Sequence, residues 1–263
     1  MNPDLLILSA TPFEVSSFLD RCPGEYERST LAGQSIISGH IGSKTYDLLI
    51  TGPGVFNAAH ALTAYLEQPS ANLKTSLKPN LKPGLILQTG IAGVFEQTGL
   101  KIGDIAIATS DHYIHTGVES DCLPIDPLPF DLIKKEPESR KGFYPFDTTR
   151  VENFYKKLCQ QADMGTATIG KGPFITVSTI TASFDTAHLI YNAFSPVMEA
   201  MEGAASAHIA RLYDIPMIQI RAASNLVGER NRSNWNIDLA VERLGWACSA
   251  LFEDQGLKTK ERP

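Results

Sequence analysis

Three short runs of this 263-residue chain read as strands with no solvent-facing side. Residues 4–9 (DLLILS), 84–89 (GLILQT) and 104–109 (DIAIAT) are apolar over strand length and lack the polar–apolar alternation of a half-exposed strand. Such runs belong in the middle of a sheet covered on both faces. Segments of helical character lie between and beyond them, at 57–67, 152–161, 185–193, 202–213 and 236–253. Residues 34–40 and 45–50 read as two strands joined at Gly42-Ser43, and 173–179 and 217–222 as two more. This alternation predicts an α/β fold with helices on both faces of the sheet. Residues 68–83 hold three prolines and 123–150 hold five, so both are expected to be loops, and a loop as long as the second is often functional. Nothing resembles an interdomain linker, which gives one domain over 1–263.

Composition removes several function classes. A net charge of -6 leaves no strongly basic face for nucleic acid. No apolar run approaches membrane-spanning length, and the first residues lack the basic region and long apolar run of a secretory leader. The four cysteines (Cys22, Cys122, Cys159, Cys248) are far apart, with neither metal-site spacing nor a disulfide framework. A cytoplasmic protein with reduced thiols and no metal is the expectation.

The polar residues that break the apolar pattern gather in a few segments. Ser9-Ala-Thr-Pro-Phe-Glu14-Val follows the first strand. Thr51-Gly-Pro-Gly54-Val-Phe-Asn57 enters a helix through a glycine turn. Gln88-Thr-Gly90-Ile-Ala-Gly93 leads to Lys101-Ile-Gly-Asp104. Glu199-Ala-Met-Glu202-Gly-Ala-Ala-Ser-Ala-His208 opens a helix with an acidic residue expected in its first turn. Arg221-Ala-Ala-Ser-Asn225 ends a buried strand. A glycine pair alone means only turn geometry, but these segments in this order resemble the purine nucleoside phosphorylase and nucleosidase superfamily. The resemblance implies a three-layer αβα sandwich with a mixed central sheet, of phosphorylase/hydrolase-like type. It also implies a nucleoside substrate, no cofactor, and a homodimer or larger homo-oligomer. Within the superfamily, Met201-Glu202-Gly-Ala-Ala, Ser224-Asn225-Leu-Val-Gly228, Arg230, Arg232 and Trp235 are most similar to the futalosine hydrolases of an alternative menaquinone pathway. The implied reaction is hydrolysis of the N-glycosidic bond of futalosine, releasing hypoxanthine and dehypoxanthine futalosine.

Cleavage of a ribosyl–purine bond passes through an oxocarbenium-like sugar. Under the resemblance Glu14 falls on the water-activating position, as general base. Glu202 accepts from ribose hydroxyls and sets negative charge beside the developing cation, and Met201 packs on the ribose. Asn225 faces the purine, its amide both donating to and accepting from a 6-oxopurine, where adenine-specific nucleosidases carry Asp. Arg221 interrupts an apolar strand, and an unpaired charge there would be costly. It is expected to pair with Glu14 and orient the water, or to hold another carboxylate. Taken singly, each has a plainer explanation: Asn225 as a helix cap, Glu202 as a helix-start acid favoured by the dipole, Met201 as core filling.

Some positions depart from the nucleosidase pattern. Ile91 stands where those enzymes carry Ser, so contacts at Ile91, Ala92 and Gly93 fall to backbone groups. Ala200 replaces an acid, with Glu199 shifted by one place. The purine-stacking residue is expected within 178–184, with Phe184 its natural aromatic. Arg230, Arg232, His112 and His115 are candidates for the acidic tail of futalosine. The glycine turn carries no basic residue for phosphate, which favours a hydrolase over a phosphorylase. An adenine-releasing nucleosidase, acting on aminofutalosine or methylthioadenosine/S-adenosylhomocysteine, and a non-catalytic nucleoside-binding relative are the alternatives.

Overall fold

The computed structural model describes residues 2–22, 27–31, 33–67, 82–162 and 167–252. In chain order the strands are β1 (Leu5–Ser9), β2 (Glu27–Leu31), β3 (Gln34–Ile41), β4 (Lys44–Ile50), β5 (Leu85–Val94), β6 (Ile105–Tyr113), β7 (Phe143–Pro145), β8 (Ile169–Thr176), β9 (Met198–Ala200) and β10 (Met217–Leu226). The helices are α1 (Ser16–Arg21), α2 (Val55–Leu66), α3 (Thr148–Gln161), α4 (Phe184–Phe194), α5 (Gly203–Leu212) and α6 (Ile237–Phe252).

β1 is buried over its whole length, and its side chains alternate between two cores. Leu5 and Ile7 pack among Val15, Phe18, Val151, Leu244 and Cys248, under α1, α3 and α6. Leu6 and Leu8 point the other way, into Ala61 and Leu62 of α2 and Ala207 of α5. The fold is therefore α/β with helices on both faces of a mixed sheet. β1 pairs in parallel with β4 and β5, and β5 in parallel with β10, while β2, β3 and β4 form an antiparallel edge. β5, β10, β6, β8 and β9 close on one another as a ring, since β9 returns to pair with Gly93 and Val94 of β5. That closure draws the carboxyl ends of β5 and β10 together with the junction between β9 and α5.

Several expectations change. Residues 90–93 are not a turn: β5 runs straight through them, paired along this stretch with β10 and joined at Gly93 by β9. The strand expected at 173–179 starts earlier, at Ile169. Gly170 and Gly172 hid its beginning, yet Gly172 sits where a Cβ would lie 2.4 Å from Val197 Cγ2. The expected loop 123–150 contains β7 and the start of α3, whose N-cap Asp147 accepts from the Arg150 N–H at 2.7 Å. The turn at Gly42-Ser43 and the glycine entry to α2 are found, with φ of 82° at Gly52 and 90° at Gly54. Most of the expected loop 68–83 lies outside the described residues. Among the described residues, no helix is long and apolar enough to cross a membrane.

Candidate active site

The carboxyl ends of parallel strands are where open α/β sheets build ligand sites. Here the ends of β1, β4, β5 and β10 surround a cavity of about 390 Å3. Glu14, Pro53, Ile91, Ala92, Gly93, Met201, Glu202 and Asn225 all line it.

Glu14 lies in a short 3-10 turn after β1 and is buried. Its Oε2 accepts from the Thr11 N–H (2.9 Å), the Thr11 hydroxyl (3.0 Å) and, more distantly, the Ser9 hydroxyl (3.4 Å). Its Oε1 accepts from the Ile91 N–H at 3.0 Å. A carboxylate offers about four lone-pair positions, so Oε1 keeps capacity toward the cavity. The strand at Ile91 thus supplies a backbone donor where a serine hydroxyl is missing.

Glu202 is at the N-cap position of α5, not within its first turn as expected, and its side chain does not cap the helix. The short strand β9, not expected from the sequence, takes up Met198–Ala200, and the helix starts at Gly203, one residue later than expected. The freed carboxylate turns into the cavity wall instead. Oε1 accepts from the Gly54 N–H of the glycine turn at 3.0 Å, and Oε2 pairs with Arg221 Nη2 at 3.0 Å. Arg221 is 1% exposed. Of the two roles expected for it, the structure shows the pair with another carboxylate: its ion pair is with Glu202, not Glu14. Its Nη1 turns to the Ile91 carbonyl, at 3.5 Å. Glu14 and Arg221 still converge, because a Cβ on Gly90 would lie 2.7 Å from Glu14 Oε1 and 2.4 Å from Arg221 Nη1. Only glycine leaves that space open.

Asn225 is part of β10, not a helix cap. Its Oδ1 accepts from the Ser224 hydroxyl at 2.8 Å, and its Nδ2 donates to the Leu226 carbonyl at 2.9 Å. One N–H and one lone pair of the amide stay free, which fixes the direction in which it presents a donor and an acceptor.

Phe184 is not at the cavity. It is the first residue of α4, behind the N-cap Ser183, and is 43% exposed. Ile180 and Thr181 line the cavity from that segment instead. Of the four tail candidates only Arg230 reaches the wall. Arg230 and Arg232 both lie over the Trp235 ring, while His112 packs on Phe143 and Phe194, and the His115 ring accepts from the Ser178 N–H.

The sequence reading gave no role to Glu199. This carboxylate also lines the cavity, accepting from the Thr181 N–H at 3.1 Å and its hydroxyl at 2.5 Å. Burial holds Glu199 above the usual carboxylate range, against the lowering effect of Thr181 and of the Arg230 charge. The signal available in sequence was its place one residue off the expected acid; only the pairing of β9 with β5 shows that it faces inward. Phe13 and Trp235 are aromatics on the wall, one beside Glu14 and one ten residues past Asn225.

The chain belongs to the Phosphorylase superfamily, whose model matches residues 4–253. It is 24% identical over 210 residues to the 5'-methylthioadenosine/S-adenosylhomocysteine nucleosidase of Bacillus licheniformis, covering 80% of each chain. Its fold matches a mutant of the Helicobacter pylori methylthioadenosine nucleosidase with 5'-methylthioadenosine in the active site, at TM-score 0.76 and 16% identity over 95% of this chain and 98% of that one. It matches the futalosine hydrolase of Helicobacter pylori at TM-score 0.75 and 16% identity over 95% and 97%.

Proposed function

We propose that this cavity hydrolyses the N-glycosidic bond of a purine nucleoside. The observation that carries the reading is two buried carboxylates, Glu14 and Glu202, held on the wall of one cavity by fixed donors. Preorganised charge of this kind stabilises a sugar cation without rearrangement during the reaction. Water attacks the anomeric carbon and gives its proton to Glu14 through Oε1. The bond to the purine breaks with its electron pair on the base, which accepts a hydrogen bond from the Asn225 amide and takes its proton from solvent, while Glu14 returns the proton it gained to solvent. Glu202 accepts from the ribose hydroxyls. The glycine turn at Pro53 and Gly54 places no cation there, and Glu14 would repel a phosphate dianion, which supports water over phosphate as nucleophile.

Two leaving bases compete. The curated relatives matched by sequence are methylthioadenosine/S-adenosylhomocysteine nucleosidases, and they support adenine better than hypoxanthine. Asn225 supports the opposite: its remaining donor and acceptor suit a 6-oxopurine such as that of futalosine. The deciding assay follows base release by chromatography from futalosine, aminofutalosine, methylthioadenosine and inosine, with and without phosphate. Phosphate-independent release from at least one supports the nucleosidase reading, and the preferred substrate assigns the base. Release that requires phosphate refutes the hydrolase, and release from none refutes the enzyme.

A further inference from the structure

Beneath Glu202 lies a second layer of polar groups that the proposed reaction does not use. Asp111 of β6 and Gln219 of β10 are fully buried, and among the described residues Asp111 Oδ2, both amide atoms of Gln219 and Arg221 Nε make no hydrogen bond of normal length and angle, although the Gln219 amide is near enough to Asp111 to act on its carboxylate as a polar neighbour. Buried groups in that condition cost stability unless something else requires them. They occupy one place. A Cβ added to Gly203, the residue after Glu202, would lie 2.1 Å from Asp111 Oδ2 and 2.3 Å from Gln219 Oε1. Gln219 and Arg221 are two apart on one strand and share a face. On its other side Asp111 Oδ1 accepts from the Thr176 hydroxyl at 2.7 Å, and Thr176 Oγ1 accepts from the Ala204 N–H at 2.9 Å. A buried carboxylate thus anchors the first turn of α5, through one hydroxyl, next to the residue that carries the ribose-facing carboxylate.

We propose that Asp111 is a positioning residue for Glu202, acting on it through Arg221 and through the first turn of α5. The proposal rests on the nucleosidase reading of Glu202. With both carboxylates ionised, Arg221 lies in the field of two negative charges, and the wall keeps a net negative charge toward a sugar cation. With Asp111 neutral, the Arg221 charge is left to offset Glu202. The charged or titratable groups acting on Asp111 are Arg221 from β10 and Glu202 from the junction before α5, with Tyr144 of β7 coupled to it electrostatically. Burial, opposed by Thr176, Arg221 and Gln219, raises Asp111 from the ordinary 3.8 to about 6, so the change of state falls within a measurable range.

The test is the pH profile of kcat and KM for the best nucleoside found by chromatography, on wild type, Asp111→Asn and Gln219→Met. Asp111→Asn keeps the acceptor for Thr176 and sets its new N–H beside the Gln219 amide, whose oxygen can accept it. It is expected to lower kcat by about 10-fold or more with KM little changed, the order of a single electrostatic group. It should also abolish an acid limb near pH 6. Gln219→Met removes a neighbour that lowers Asp111, and is expected to move that limb to higher pH with the plateau rate retained. If Asp111→Asn follows the wild-type profile within two-fold, or Gln219→Met leaves the limb where it was, the proposal is overturned while the nucleosidase reading stands. If Asp111→Asn fails to fold, the Gln219→Met shift alone decides. A wild type that hydrolyses no nucleoside overturns the reading and the proposal together.

Discussion

Replacing Glu14 by Gln tests the proposed base, and the structure says that the change is not a silent one. The carboxylate accepts from the Ile91 N–H at Oε1 and from the Thr11 N–H and two hydroxyls at Oε2. An amide has one oxygen and one NH2 group, so one end must set a donor against a backbone N–H. Setting it against Ile91 is the milder choice, since the Oε2 side holds three donors. A mismatched buried donor costs about 1–3 kcal/mol, and in a chain of this size each kcal/mol moves Tm by roughly 2–4 °C. A fall of roughly 2–12 °C is therefore expected from Glu14→Gln, with the fold retained. The rate effect is separate and larger: loss of a general base typically costs 10²–10⁴-fold, or about 3–5 kcal/mol of barrier. The assay pairs a thermal melt with base release at saturating substrate, well below the variant's Tm. A variant that turns over within about three-fold of wild type would refute Glu14 as base, whatever its Tm.

Glu202→Ala should raise the barrier by a few kcal/mol and, by stranding a buried Arg221, cost about 3–5 kcal/mol of stability; equal losses for 2′- and 3′-deoxy substrates in wild type and variant would remove the ribose role. Asn225→Asp sets an oxygen against the Leu226 carbonyl at 2.9 Å, which favours the protonated acid, whose one proton can pass from that carbonyl to a leaving adenine. The kcat/KM ratio of aminofutalosine to futalosine should then rise by about 5–150-fold, the equivalent of 1–3 kcal/mol, and a ratio unchanged from wild type would count against Asn225 as the base selector. Asp111 also predicts a stability profile. Its raised value means that the folded state binds the extra proton between about pH 4 and 6, so stability falls as pH rises through that window and the loss is complete above it. At roughly two pH units the loss is about 3 kcal/mol. Asp111→Asn should remove that slope and melt higher than wild type above pH 6, and urea titrations at pH 4, 5, 6 and 7 read it directly.

The local content of the chain was enough to identify the layers and the order of the longer elements, but not α1, β2, β7 or β9. Continuous apolar runs such as residues 4–9 have no alternative to a buried central strand, and the glycines at 52 and 54 mark the entry to α2 because the turn takes positive φ. The residue types of the candidate site were legible for a similar reason: a charge such as Arg221 inside an apolar strand demands a partner. Which partner it takes was not legible. Arg221 pairs with Glu202 because β9, three residues long and buried at every one, pairs with β5 and so pins the β9–α5 junction against it. Residues 90–93 continue as strand, and Glu199 faces in, through pairings between segments a hundred residues or more apart in sequence, while Phe184 faces away at the start of α4. Strand pairing, helix start and side-chain direction at these positions depend on neighbours distant in the chain. Local sequence decides which groups the chain carries, and the closing of the strand ring decides which of them meet.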